Sequence, residues 1–206
     1  METKQIPSIV VGRLPVYLRA LEYMKREHRQ VTSSQELAER LGISAAQIRK
    51  DLSQFGEFGK QGTGYDIENL VTQLRTILHI NRVWDIAVVG AGDVGHAVAR
   101  YQGFTDRGFR VAQIFDNDPS KIGSQIGEFI VRDSADMLEI IHQAGIKIAM
   151  IAVTATHAQD VADQLVKAGV KAILNYAPIT LNVPPEVHVQ YIDPSVHLQR
   201  MAYYLG

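Results

Sequence analysis

Leu14, Tyr17, Leu18, Leu21 and Met24 recur at helical spacing, and this stripe predicts a first amphipathic helix with Lys25, Arg26, Glu27 and Arg29 at its wet end. Pro15 lacks an amide proton, so the pattern places it in that helix's first turn. Thr32 and Ser33 stand ahead of Glu36 in the spacing of a capping box, which launches a second helix over 35–41 and leaves Gly42 to end it. Ser44 with Gln47 repeats the signal and starts a third helix, expected over 45–55. Helix, short turn and helix is the organisation in which the second member enters a major groove.

Between Phe55 and Tyr65 four glycines alternate with aromatic and polar residues, predicting a bend and a tight hairpin tip of the kind that forms a wing. A further amphipathic helix is expected over 66–80, with Ile67, Leu70, Val71, Leu74, Ile77 and Leu78 apolar, and residues 79–83 read as a linker. The pattern then changes. Residues 86–89 form a continuous apolar run, as in a parallel strand covered on both faces, and 109–115, 146–153 and 170–174 repeat it. Helical stretches over 94–102, 134–143 and 158–167 lie between, giving a βα alternation. The chain finishes with a strand over 187–192 and an apolar helix opened by Pro194, carrying Val196, Leu198, Met201, Ala202 and Leu205. Such a helix requires cover from its own domain or from a partner subunit.

The fold class is therefore α/β: a winged helix-turn-helix over 1–80, a Rossmann-like parallel-sheet domain over 81–192, and a terminal helix over 193–206 suited to dimerisation. Directly after the first strand stands Gly90-Ala91-Gly92-Asp93-Val94-Gly95. Its spacing permits a tight turn, close approach of a pyrophosphate to the backbone at Gly92, and close helix packing at Gly95. The following helix offers free amides to phosphates. A second strand ends at Asp116, where a carboxylate meets an adenine ribose, and no arginine follows in Asn117-Asp118-Pro119-Ser120 to compensate a 2′-phosphate. NAD(H) is thus expected over NADP(H), with coenzyme A as the alternative occupant. Thr154, Thr156 and His157 end a later strand, where open sheets place ligand loops, and Asn175-Tyr176-Ala177-Pro178 is expected beside the nicotinamide.

On the third helix, Ile48 and Leu52 fit the buried face and leave Gln47, Arg49, Lys50 and Ser53 outward, with Ser44 at its start. Arginine and lysine pair with guanine or phosphate and glutamine with adenine, so these residues are expected to meet double-stranded DNA. Lys60 and Gln61 sit at the wing tip, suited to a narrow groove.

Charge distribution agrees with this division of labour. Of 206 residues, those through Val83 carry 12 Lys and Arg against 9 Asp and Glu, whereas the remainder carries 9 against 13. The basic part is the one expected to face phosphate. Absence of cysteine excludes disulfides and thiolate sites, the seven histidines show no metal-binding spacing, and neither a secretory signal nor a long apolar run appears. No metal, no membrane span and a cytoplasmic location are expected. A dehydrogenase with an accessory amino-terminal domain is the rival function, but few residues remain to build a substrate domain.

The segments Arg13-Leu14-Pro15-Val16-Tyr17-Leu18-Arg19, Gln47-Ile48-Arg49-Lys50-Asp51-Leu52-Ser53, Phe55-Gly56-Glu57-Phe58-Gly59, Gly62-Thr63-Gly64-Tyr65 and 115–123 resemble, in order and nearly end to end, the Rex family of bacterial redox-sensing transcriptional repressors. The resemblance implies a non-enzymatic homodimer on a palindromic operator. It also implies that NADH favours release of DNA, so that the protein senses the NADH/NAD⁺ ratio, and that the terminal helix is exchanged between subunits. By motif, Arg49, Lys50 and Lys60 match DNA contacts, and Arg19, Tyr101 and Asp193 match switch groups. Pro194 stands where family members often carry a bulkier apolar residue.

Overall fold

In the computed structural model, residues 6–60 and 64–206 are described, and the chain divides into two compact units, 1–82 and 83–206. The first unit opens with α1 (Ser8–Arg26), followed by β1 (Val31–Thr32), α2 (Ser34–Leu41) and α3 (Ala45–Leu52). It closes with β2 (Gly59–Lys60), β3 (Gly64–Asp66) and α4 (Ile67–Ile77). The apolar stripe of α1 is buried as its spacing requires, with Leu14, Tyr17, Leu21 and Met24 fully enclosed against Leu37, Ile48, Leu70 and Leu74. Pro15, however, lies inside α1 rather than in its first turn. The helix begins at Ser8, so the proline removes one internal hydrogen bond and is tolerated on an exposed face.

Ser33 and Ser44 cap α2 and α3, accepting the amides of Glu36 (3.1 Å) and Gln47 (3.2 Å). Glu36 also bonds back to the Ser33 backbone besides reaching Thr32 and Arg29, whereas Gln47 turns its amide to the Asp51 carboxylate. Gly42 takes the left-handed conformation that ends α2. The third helix stops at Leu52, short of the expected Phe55, and residues 53–55 continue as a turn.

β1, β3 and β2 form a three-stranded antiparallel sheet in that order. Its tight approach depends on glycine: at Gly64, with φ of 79°, a Cβ would stand 2.4 Å from the Thr32 carbonyl oxygen. The wing residues Gln61, Gly62 and Thr63 lie outside the described residues, as does the side chain of Lys60.

The second unit is built on a sheet of seven strands. They are β4 (Trp84–Val89), β5 (Phe109–Asp116), β6 (Gln125–Ile126), β7 (Phe129–Asp133), β8 (Ile148–Ile151), β9 (Ala172–Asn175) and β10 (His188–Tyr191). Their order is β10-β9-β8-β4-β5-β7-β6, and every pairing is parallel except that of β6 with β7. Along β4, Ala87 and Val89 pack into one core, while Ile86 and Val88 pack into another on the opposite face. Double coverage explains the uninterrupted apolar run.

The helices are α5 (Asp93–Ala99), α6 (Met137–Ala144), α7 (Ala155–Lys167) and α8 (Pro194–Ala202). The strand order reverses at β4, so the crevice between the carboxyl ends of β4 and β8 is the place where such sheets bind ligands. The hairpin β6–β7 was not anticipated from the sequence, and it occupies the connection from β5 where a helix commonly lies. α8 buries none of its side chains, and Val196, Leu198, Met201 and Leu205 are all more than half exposed.

Candidate functional site

At the carboxyl end of β4 the glycine loop is dictated by sterics. Gly90 has φ of 106°, and a Cβ there would lie 2.5 Å from the Ala152 carbonyl oxygen at the end of β8. A Cβ on Gly95 would fall 1.9 Å from the Gly90 oxygen, so α5 packs onto the loop only because this residue is glycine. Gly92 differs, because a Cβ there would meet nothing within 4 Å and would instead project into open space. Gly92 also lines a cavity of about 500 Å³ together with Gly90, Asp116, Asp118, Lys121, Ser134, Met137, Thr154 and His157. The volume lies in the range of small-molecule sites.

Asp116 is buried at the end of β5 and is held by three donors. The Ala91 amide reaches Oδ2 at 2.7 Å, the Asp118 amide reaches Oδ1 at 2.9 Å, and Lys121 Nζ reaches Oδ2 at 3.2 Å. Burial opposes ionisation, but these donors outweigh it and hold the carboxyl below the usual carboxylate range. Lys121 is the residue that sequence reasoning passed over. It directly follows Asn117-Asp118-Pro119-Ser120, the stretch without an arginine.

Thr154 stands at the N-cap position of α7 in the cavity lining without capping it, and its hydroxyl lies 3.0 Å from both Thr156 Oγ1 and His157 Nδ1. Asp93 and Val94, exposed in the first turn of α5, sit beside Gly92 in the loop. Asn175 occupies a different position. It is buried, its amide nitrogen donates to the carbonyls of Ala177 and Ile179 at 3.0 Å, and its oxygen accepts the Ala177 amide at 2.9 Å. These bonds shape the loop after β9.

Tyr101 follows α5, half exposed, with Phe104 edge-on at 4.9 Å and the Arg107 guanidinium 5.9 Å from its ring centre. Asp193 caps α8 by accepting the amide and hydroxyl of Ser195 at 2.9 and 2.6 Å. Arg19 is exposed on α1.

On α3, Ile48 and Leu52 are buried and Arg49, Lys50 and Ser53 are exposed, with Ser44 exposed at the cap. Arg49 donates to Ser34 on α2 at 2.8 Å, and Ser53 donates to the Lys50 carbonyl at 3.0 Å. Gln47 is only half exposed, and its amide donates to Asp51 at 2.7 Å. Asp51 itself is fully buried and also receives Arg13 and Tyr17 of α1. A carboxylate at the buried i+3 position from Ile48, with Arg13 and Tyr17 one turn apart on the first helix, was the signal for this cluster.

A winged helix-turn-helix unit and a Rossmann unit with a glycine cradle and a carboxylate-rimmed cavity together define a nucleotide-responsive DNA-binding protein. Residues 5–53 match the family described as "Putative DNA-binding protein N-terminus", and 81–179 match the family described as "CoA binding domain". The chain is 50% identical over 202 residues to the redox-sensing transcriptional repressor Rex of Chloroflexus aggregans, covering 98% of this chain and 95% of that one. It is 52% identical over 200 residues to that of a Roseiflexus species, covering 97% and 91%.

Among solved structures it is similar to RSP in complex with β-NAD⁺ and operator DNA, with a TM-score of 0.93, 37% identity and coverage of 98% and 94%. It is likewise similar to RSP in complex with β-NADH, with a TM-score of 0.89, 35% identity and coverage of 98% and 95%. The chain belongs to the Rex family of redox-sensing transcriptional repressors.

Proposed function

We propose that this chain represses transcription by holding operator DNA through α3 and the wing, and that it lets go when NADH fills the cavity at the end of β4. Membership of the Rex family supports this, and so does similarity to structures holding NAD⁺ with operator DNA and holding NADH. It is a regulator rather than an enzyme. The observation that carries the ligand assignment is the open face of Gly92 beside a cavity rimmed by Asp116, Asp118 and Lys121, which fits a dinucleotide. The match to the family described as "CoA binding domain" spans residues 81–179, a range that includes the glycine loop.

The reduced and oxidised cofactors differ at the nicotinamide by a hydride and a positive charge. The chain's own part is to bind one form better in the arrangement that does not fit DNA, since equal affinity would shift nothing. Asp116 secures the glycine loop, Thr154 with His157 forms the opposite wall, and Asn175 shapes the loop after β9. Arg19, Tyr101 and Asp193 are the groups whose exchange of charge-assisted bonds biases the two arrangements.

On the DNA side Arg49, Lys50, Ser44, Ser53 and Lys60 meet the duplex, with Gln47 held at the margin by Asp51. Two copies bind a palindromic operator, and the uncovered apolar face of α8 supports pairing of the chain with itself. No described helix is long and apolar enough to cross a membrane.

The test is operator binding by fluorescence anisotropy at fixed salt across an NADH titration. Affinity should fall with NADH and hold with NAD⁺. An affinity unchanged by both would remove the proposed regulation.

A further inference from the structure

Gln47 and Asp51 stand one turn apart on α3, and Gln47 Nε2 lies 2.7 Å from Asp51 Oδ1. The Asp51 side chain is fully buried, and α1 supplies its other donors. Arg13 Nε reaches Oδ2 at 2.6 Å and Nη2 reaches Oδ1 at 2.8 Å, while the Tyr17 hydroxyl donates to Oδ2 at 2.7 Å. A carboxylate clasped by a guanidinium is ionised and can only accept, so the nitrogen end of the Gln47 amide is the end that must turn inward. Gln47 is partly exposed. What it offers outward is therefore one acceptor, Oε1, and the second hydrogen on Nε2.

We infer that Asp51 is a positioning residue for base readout: by holding the Gln47 amide with its oxygen outward, it sets that side chain to pair with adenine and against guanine. The inference rests on the operator-binding reading above and names what gives one position of α3 its selectivity. Gln47 lies in the first turn of α3, the part of a recognition helix that meets base edges. Adenine presents the N6 donor and the N7 acceptor, which match Oε1 and the remaining Nε2 hydrogen. Guanine presents two acceptors, O6 and N7, so its O6 would stand against Oε1. An amide turned through half a rotation would offer two donors and suit guanine instead. Asp51 forbids that turn, because it would set a carbonyl oxygen against a buried carboxylate.

Asp51→Asn is the informative substitution. Two donors from α1, Arg13 Nε and the Tyr17 hydroxyl, converge on Oδ2, which keeps the asparagine oxygen at that position. The new NH2 then replaces Oδ1 and faces Gln47, which frees the glutamine amide to turn over. The full chain would first select a preferred duplex from a random-sequence pool. Affinities for that duplex and its single base-pair replacements would then be measured by fluorescence anisotropy at fixed salt for wild type, Gln47→Ala, Asp51→Asn and the double variant.

Wild type should show an A·T pair at which a change to G·C costs about tenfold or more, and 7-deazaadenine there, which lacks N7, should also weaken binding. Gln47→Ala should lose the preference at that pair and at no other. Asp51→Asn should bring adenine and guanine there within about threefold of each other while preferences elsewhere persist, and the double variant should match Gln47→Ala at that pair. Should Asp51→Asn fold poorly, wild type supplies a second readout. Its Gln47 side-chain amide protons, assigned by their loss in Gln47→Ala, should be shifted downfield by the carboxylate in amide correlation spectra.

An adenine preference intact in Asp51→Asn, a loss of preference spread evenly over the duplex, no change at any single pair in Gln47→Ala, or a Gln47 amide signal like that of a solvated glutamine would overturn the inference. A wild-type chain that selects no duplex would overturn the operator-binding reading itself, a result distinct from an unchanged preference at one pair.

Discussion

The Asp51 carboxylate on α3 takes Nε and Nη2 of the Arg13 guanidinium on α1, at 2.6 and 2.8 Å, and so ties α3 to α1. Tyr17 adds a third bond at 2.7 Å from the same face of α1. Burial disfavours charge on Asp51, but Arg13, Tyr17 and Gln47 outweigh it and hold its carboxyl below the usual range. Burial and the Asp51 charge push the Tyr17 hydroxyl up to about 12.

Replacing Asp51 with Ala leaves the buried Tyr17 hydroxyl and the Arg13 charge without their partner. It should destabilise the first unit by about 3 kcal/mol and weaken operator binding. Because the folded pKa of Asp51 lies below the unfolded one, its contribution is present above the ordinary carboxylate range and is lost as pH falls through the folded value. Denaturant unfolding across pH should therefore show an acid limb in wild type that is flatter in Asp51→Asn. Equal limbs would show that the cluster does not stabilise through charge.

Asp116→Ala and Lys50→Ala should separate the two activities. The first orphans the Ala91 amide at a buried position, costing about 1–3 kcal/mol, and should weaken NADH binding while operator affinity without nucleotide is kept. The second should weaken operator binding, and reduce its salt dependence if the contact is to phosphate, with NADH affinity unchanged. Calorimetric NADH titration and anisotropy on both variants check this, and a parallel loss of both activities in either would contradict the division.

Leu198 is 63% exposed on α8, where a second copy is proposed to cover it. Leu198→Asp should shift the chain toward monomer in sedimentation velocity and lower operator affinity. A variant sedimenting as wild type does would show that this face is not the contact.

Much of this architecture was legible because local chemistry and global fold agree. Ser33 and Ser44 mark helix starts, the alternation of 86–89 with its neighbours marks a doubly covered sheet, and Gly90, Gly92 and Gly95 announce the cradle. What escaped was set by tertiary partners. Pro15 reads locally as a helix start, yet residues 8–14 continue the helix ahead of it because Val10 and Leu14 are buried in the core. β6 is two residues long and β7 alternates into Arg132 and Asp133, so neither carries a core-strand signature.

At the third helix the Asp51 carboxylate draws the Gln47 amide away from the Ser44 cap. The Lys121 ion pair and the internal bonding of Asn175 are contacts that spacing alone does not reveal.

Coupling between operator binding and nucleotide binding is most directly tested by its reciprocity. If NADH lowers operator affinity by some factor, saturating operator must lower NADH affinity by the same factor. Measuring NADH dissociation constants with and without duplex operator, at one salt concentration, should return the factor found when operator affinity is measured with and without NADH. Identical NADH affinities in the presence and absence of operator would contradict the account.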